Sequence, residues 1–292
     1  MHRCQTKSWL SLILLAASLT ACDAAQPKPG KELASGVTFV GRIADPRITE
    51  SSGLAASRKH AGVFWTHNDG GGPKRQVLYA IDRAGNTKAS FPISGVAIHD
   101  WEDIAIDGAG RLFLGDLGNN DGMRDELAVY EIDEPDPAQA AKFVEVKGGW
   151  RLRYPADTQR FDCESLFVWQ DHGYVVSKVF KDARAQIFRF SLNTREPQTL
   201  ELVATMKIDS PVTGATISAD GNLLGLVAKN GAYVYRIDGD VARADQRKPK
   251  STKFAQMQIE GCTFVSEGLL ATCEGREILL FTSPAFRMKR EE

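Results

Sequence analysis

The chain has 292 residues, 43% of them hydrophobic and 25% charged, with a formal net charge of −1. This composition belongs to an ordinary globular protein with residues enough for a sizeable core. It excludes a disordered chain and a strongly basic nucleic-acid binder.

Residues 1–21 begin with His2, Arg3 and Lys7 and continue into an apolar or small run over residues 9–19. That run is too short to span a bilayer and reads as a secretory signal. It ends Leu19-Thr20-Ala21-Cys22, which resembles the lipobox of bacterial lipoproteins. The resemblance implies cleavage before Cys22, a lipid on Cys22 and the membrane as a partner. It places the protein in a bacterial cell envelope, on the periplasmic side of a membrane or at the cell surface. Cleavage would remove Arg3 and Lys7 and no acid, leaving 34 basic residues against 37 acidic ones, which argues against a nucleic-acid partner. Residues 22–36, with the stretch DAAQPKPGK, read as the lipidated cysteine and a tether. Asp23 after the lipidated cysteine resembles an inner-membrane retention signal of enteric bacteria.

From residue 37 the sequence repeats itself. Hairpins of one kind start at Ser52, Glu102, Glu164, Thr213 and Glu260, that is 50, 62, 49 and 47 residues apart. The clearest is HDWEDIAIDGAGRLFLGDLGNN, in which two apolar runs flank an Asp-Gly-Ala-Gly turn. Third strands follow at residues 78–82, 129–133, 187–192, 234–238 and 278–283, and fourth strands at 87–93, 143–154, 200–208 and 253–259. The fifth unit lacks an outer strand, and residues 37–43 (VTFVGRI) are free to supply it, hiding an edge. Four-stranded antiparallel units in radial repetition make a β-propeller, so the expectation is all-β with five blades over residues 37–286 and a tail at 287–292. A sixth blade would have to come from residues 133–154. Residues 137–142 carry a weak helical pattern, and residues 241–252 read as a long solvated loop.

Cys163, Cys262 and Cys273 would face an oxidising compartment. If Glu267-Gly268 is a two-residue turn, Cys262 stands opposite Cys273, and a disulfide competes with two buried free thiols. No cysteine or histidine spacing suits zinc.

In a propeller the start of each innermost strand and the end of its neighbour share one face. Ser52, Glu102, Glu164, Thr213 and Glu260 therefore gather at the channel mouth, joined by Asn68, Asp116, Lys178, Lys229 and Glu274. Three glutamates at a narrow mouth oppose one another's ionisation. Glu102, Glu164 and Glu260 are thus candidate ligands for Ca²⁺ or another divalent cation, unless Lys178 and Lys229 pair with them or one carboxyl stays protonated. Strand capping by widely spaced, solvated acids is the alternative. His67, Asn68 and Asp69 precede Gly70-Gly71-Gly72 on that face and are candidate ligand contacts. His67 either touches a ligand or makes a structural hydrogen bond, and no Gly-Lys-Ser/Thr follows to make a phosphate loop. DLGNNDG from Asp116 fails the EF-hand spacing. Trp101 is expected to pack between blades or wall a pocket, and no serine-hydrolase elbow is present.

The stretches SGLAAS, FWTHNDGGG, LYAID, DWEDIAID, LFLGDLGNN and VYEIDEP resemble a group of secreted bacterial propeller proteins. More distantly, the blade pattern is similar to phytase-like and gluconolactonase-like propellers, which bind divalent metals at the channel and hydrolyse phosphoesters or lactones. Their metal-binding acids would map onto Glu102, Glu164 and Glu260, although Ser52 and Thr213 depart from such a ligand set. Two functions follow as expectations: a lipid-anchored envelope propeller that binds a small molecule or envelope protein on its polar face, or a metal-dependent hydrolase using that face.

Overall fold

The computed structural model describes residues 27–139, 143–179, 184–208, 210–282 and 286. Five small sheets stand in a ring, making a five-bladed β-propeller. Their innermost strands are Ser51–Ala56, Trp101–Ile106, Asp162–Trp169, Val212–Ile217 and Ile259–Val265, each neighbouring the next around the central channel. The fifth blade is completed by Val37–Arg42, which pairs antiparallel with Glu277–Phe281. The two ends of the folded region are thereby joined by backbone hydrogen bonds, as the unpartnered VTFVGR segment predicts. Cys22 and residues 287–292 lie outside the described residues, and among those described no helix is long and apolar enough to cross a membrane.

Innermost strands are buried on both faces, as in Trp101–Ile106, whereas Val37–Arg42 alternates buried and half-buried residues, as an outer strand should. The turns follow from Asx chemistry: Asp107 Oδ1 accepts the backbone N–H groups of Ala109 and Arg111 at 2.9 and 2.8 Å, and Gly110 takes the positive φ of +79° that the reversal requires. Five apolar clusters fill the spaces between adjacent blades, with Trp65 and Trp101 between blades one and two and Trp150 between blades two and three. Burying each large apolar side chain contributes about 1.5–3 kcal/mol, so the ring is held by its interfaces as much as by its sheets.

Several outer elements differ from expectation. Residues 143–154 form two strands: Gly148–Arg153 closes blade two, and Val144–Glu145 pairs in parallel with the outer strand Thr87–Ser94 of blade one. Gln198–Thr199 reaches back to blade two in the same way. The outer strand of blade four is Lys250–Lys253 rather than residues 253–259. The segment before it is not merely solvated, since Arg243–Gln246 is a short helix and Val241 and Ala244 are buried against blades three and four. Residues 137–139 are a turn, and residues 140–142 of the expected helical stretch lie outside the described residues.

Register decides the cysteines. Val265 pairs with Gly268, so the turn is Ser266-Glu267 and Cys262 faces Ala271; a bulge at Glu260 then sets Cys273 opposite Ile259. Of the two alternatives, a Cys262–Cys273 disulfide or two buried free thiols, the structure has the second, and Cys163 is a buried free thiol as well. Accordingly, unfolding the unreduced protein in the presence of an alkylating reagent should label all three, read by peptide mass mapping, and reductant should leave the melting temperature unchanged. A cross-linked peptide joining Cys262 to Cys273 would contradict this register.

Candidate functional site at the channel mouth

Every innermost strand carries a β-bulge at its start. The register shifts at Ser52, Glu102, Glu164, Thr213 and Glu260, the five positions that the hairpin alignment makes equivalent. A bulge leaves one residue unpaired and re-aims its side chain, which is why these positions face the mouth. Ser52 and Thr213 use theirs as staples between blades. The Ser52 hydroxyl donates to the Glu102 carbonyl at 2.6 Å, and the Thr213 hydroxyl to the Ile259 carbonyl at 2.6 Å.

One residue deeper, the ring reads Gly53, Asp103, Ser165, Gly214, Gly261. A Cβ at Gly53 would lie 2.9 Å from Asp103 Oδ1, and Cβ atoms at Gly214 and Gly261 would strike the backbone of the next blade, so three glycines let the strands close around one carboxyl. Asp103 is fully enclosed. Its Oδ1 accepts the Ile104 N–H at 2.8 Å, its Oδ2 accepts the Leu166 N–H at 2.8 Å, and the Ala215 N–H lies 3.5 Å from Oδ2. Burial pushes this carboxyl well above its ordinary range, against the pull of those donors. Beyond it Leu54, Ile104, Leu166 and Ala215 line a cavity of about 20 Å³, room for about one water, so the channel is narrow below Asp103.

Above Asp103 the mouth opens into a cavity of about 250 Å³ lined by Ser52, Asp69, Glu102, Glu164, Lys178, Lys229, Glu260 and Glu274, together with Glu50, Asn120 and Gln258. Eight of the residues expected on this face thus meet in one cavity. The candidate metal set is different from that expected. Asp69, Asp100 and Glu102 have ligand atoms all within 4.8 Å of one another, and among the described residues no other such set of three occurs. Glu102, Glu164 and Glu260 do not converge in this way, because Glu164 is turned to its neighbour on blade three: it pairs with Lys178, whose ammonium also lies 3.5 Å from Asp162.

The acidic trio is assembled by two interlocking loops. Gly70 and Trp101 exchange backbone hydrogen bonds at 3.2 and 3.1 Å, fixing Asp69 beside blade two. His67 stacks on Trp101 with 4.0 Å between ring centroids, and its Nδ1 lies 2.9 Å from the Asn68 carbonyl. Nδ1 is therefore the protonated nitrogen, and Nε2 is a buried lone pair without a donor. Burial lowers the His67 pKa to about 3, so the ring is neutral and acts as a brace. Asn68 and Asp116 are braces too. Asn68 Oδ1 accepts the Thr49 N–H at 2.8 Å, while Asp116 accepts the N–H groups of His99 and Asp100 at 3.1 and 2.9 Å and pairs with Arg124 at 3.0 Å. Gly118 completes the cradle, since a Cβ there would fall 2.0 Å from Asp100 Oδ2 and 2.3 Å from Glu102 Oε1.

Sequence reading passed over Asp100, although it stands two residues before Glu102 and the period of a strand puts both on one side. Asp162, Glu50, Asn120 and Gln258 carried no comparable signal, because each comes from a loop or strand end whose approach depends on tertiary packing.

The electrostatics are unfavourable without a counter-charge. Glu102 is 2% exposed. Burial, then Asp69, Asp100 and Asp162, push its pKa up to about 10, with Lys178 opposing. Burial and neighbouring carboxylates likewise raise Asp69 to about 6 and move Asp100 upward. Glu260 rises to about 7, mainly by burial, with Lys178 and Lys229 acting to lower it. Asp69 Oδ1 and Glu164 Oε2 are buried with no hydrogen-bond partner.

No protein-family model matches the chain, and no curated protein matches it. The propeller architecture implied by the motifs is what the chain folds into, while the finer kinship to secreted bacterial propellers finds no support in either comparison.

These shifts carry a consequence for stability. Raised pKa values mean that the folded, cation-free protein binds more protons than the unfolded chain from the ordinary carboxyl range upward, through about 6 for Asp69, about 7 for Glu260 and about 10 for Glu102. Stability should therefore fall as pH rises across this window, each group contributing at most about 1.4 kcal/mol per pH unit. Urea denaturation in chelator between pH 5 and pH 9 measures the slope, and Glu102→Gln should flatten it. A stability that is level or rises with pH would contradict the crowding.

Proposed function

We propose that the protein is a binding module of the cell envelope that captures a small ligand at its channel mouth, with a divalent cation as part of the seat. One observation carries this reading: three carboxylates converge within 4.8 Å around a glutamate that is almost wholly buried. Carboxyls in that arrangement must hold protons or share a cation, and hard oxygen donors suit Ca²⁺. Asp69, Asp100 and Glu102 would hold the ion, and Gly118 keeps the space into which two of these carboxylates project. His67, Trp101 and Asp116 set the loops that bring the acids together.

Hydrolysis on the same face is the competing reading, in which the cation would polarise an ester or lactone carbonyl. An anionic phosphoester is poorly suited, because six carboxylates and only two lysines line the mouth. A neutral lactone is the form of this reading that deserves testing. Turnover of a lactone by Ca²⁺-loaded protein, lost in Glu102→Gln, would replace the binding reading. An envelope protein seated on the mouth is the other candidate occupant.

The attachment proposed is a lipid on Cys22, supported by the Leu-Thr-Ala-Cys sequence after an apolar signal. In that case Cys22→Ser should move the protein from the membrane fraction to the soluble fraction, and an unchanged distribution would reject the anchor.

For the seat itself, Ca²⁺ should bind in a single class of site and raise the melting temperature. Affinity should increase with pH, because Asp69 and Glu102 must release protons to the solvent. Asp100→Asn and Glu102→Gln should each weaken binding at least about tenfold. Glu102→Gln should also stabilise the chelated protein while abolishing the gain from Ca²⁺, two effects of opposite sign from one substitution. No melting shift with Ca²⁺, Mg²⁺ or Mn²⁺, together with no metal in the purified protein, would sink the cation seat.

A further inference from the structure

We infer that the ligand of the mouth is the end of a neutral, hydroxyl-rich chain, an oligosaccharide, with one unit at the cation and the following units in a groove between blades two and three. The inference rests on the cation seat proposed above and specifies what that seat receives.

The mouth is not an isolated pit. A groove of about 680 Å³ adjoins it, and Asn120 and Lys178 line both spaces. The groove runs between residues 119–122 of blade two and residues 157–162 of blade three. At about 250 Å³ the mouth is smaller than the ~300–1,000 Å³ of pockets that enclose drug-sized ligands. It suits one compact unit, and the groove suits its continuation.

Charge and coordination select the chemistry. A divalent cation at Asp69, Asp100 and Glu102 still leaves carboxylates in excess of lysines around the mouth, so an anionic ligand is opposed. Ca²⁺ takes about six to eight oxygen ligands, and three carboxylates supply about three to six of them. Neutral oxygens of water or of a ligand fill the positions that remain, and adjacent hydroxyls on a sugar ring present two at once. Glu164 Oε2, buried at 8% exposure and without a hydrogen-bond partner, lines the same mouth and is available as an acceptor for a further hydroxyl.

The groove fits the same ligand. Asn120, Gln159 and Gln186 offer amides, each both donor and acceptor, which match hydroxyl groups. Phe161 is the aromatic wall. It is half-buried and is held in place by stacking on Phe188, with centroids 4.7 Å apart, and by an edge contact with Tyr154 at 4.9 Å. A fixed, partly exposed ring among amides presents an apolar surface to the C–H face of a sugar and polar groups to its hydroxyls.

The test uses the full chain purified in detergent, with calorimetric titration in two stages. Ca²⁺ alone is titrated first, and then maltohexaose, cellohexaose and N-acetylchitohexaose, each with its monosaccharide, into the Ca²⁺-loaded protein. At least one hexasaccharide should bind about tenfold or more tighter than its monosaccharide, and chelator should abolish the binding. Phe161→Leu, which keeps an apolar side chain against Phe188, and the exposed Asn120→Ala should each weaken hexasaccharide binding about tenfold while Ca²⁺ affinity stays within about twofold. Normal Ca²⁺ binding with no hexasaccharide bound overturns this inference and leaves the cation seat standing. So does normal Ca²⁺ binding with a trilysine peptide, run as a parallel arm, taking the groove instead. Failure of the Ca²⁺ titration overturns the seat and this inference together.

Discussion

The Asp103 carboxyl is the point on which the channel depends. It belongs to blade two, yet it accepts the Leu166 N–H of blade three and faces the Ala215 N–H of blade four, so one side chain links three innermost strands at the axis. Its presence dictates the residues around it. Gly53, Gly214 and Gly261 occupy the equivalent position in three of the other four blades, where a Cβ would meet Asp103 or the backbone of the next strand. A buried acid normally costs stability; here backbone donors receive it, and the glycine ring admits it without strain on a side chain. The narrowing of the channel follows from this arrangement, and it leaves the mouth as a floor on which polar groups can gather.

Above that floor the bulges decide what gathers. A regular antiparallel strand would keep its first residue in the ladder, whereas a bulge at the same place in all five blades turns that residue toward the axis. The glycine-rich loop after Asn68 and the His99-Asp100-Trp101 segment then lock across blades one and two, with His67 flat against Trp101. His67, one residue from the ligand-facing loop, contributes by shape and stacking. Local packing of neutral rings therefore brings together three acids that would otherwise separate. Crowding of like charges in a site held open by its scaffold is the usual sign that stability has been traded for binding.

The five-fold repeat was legible because it depends on local chemistry: alternating apolar residues, Asp-Gly turns and a leftover strand seeking an edge. The closing strand Val37–Arg42 is found where the leftover VTFVGRI segment implies. What the sequence could not convey were shifts of a single residue. The bulges leave no composition signal, and placing the turn one residue late, at Glu267-Gly268, puts Cys262 against the wrong partner. The parallel additions at Val144–Glu145 and Gln198–Thr199 were hidden for a related reason, since each pairs with a blade that its own repeat does not contain. In the candidate site, the positions set by repeat symmetry (Glu102, Glu164, Glu260) could be read. The partners that separate their roles could not, because Asp100 and Glu50 come from segments between strands and Asp162 from the end of one, where approach depends on tertiary packing.

Those partners explain how one repeated position acquires several chemistries. Ser52 and Thr213 have short side chains that bond the adjacent blade and go no further. The three glutamates are longer and reach the cavity, but each meets a different environment. Glu164 is neutralised by Lys178, Glu260 feels both lysines and titrates near neutrality, and Glu102 faces two further acids from adjoining loops. Symmetry alone would make the mouth a uniform ring with no preferred place for a ligand. The loops break it, concentrating negative charge between blades one and two and basic groups on blades three and four. A bound molecule must therefore lie in a defined orientation, its coordinating end toward Asp69, Asp100 and Glu102 and its remainder toward the side where the wall opens beside Asn120 and Lys178.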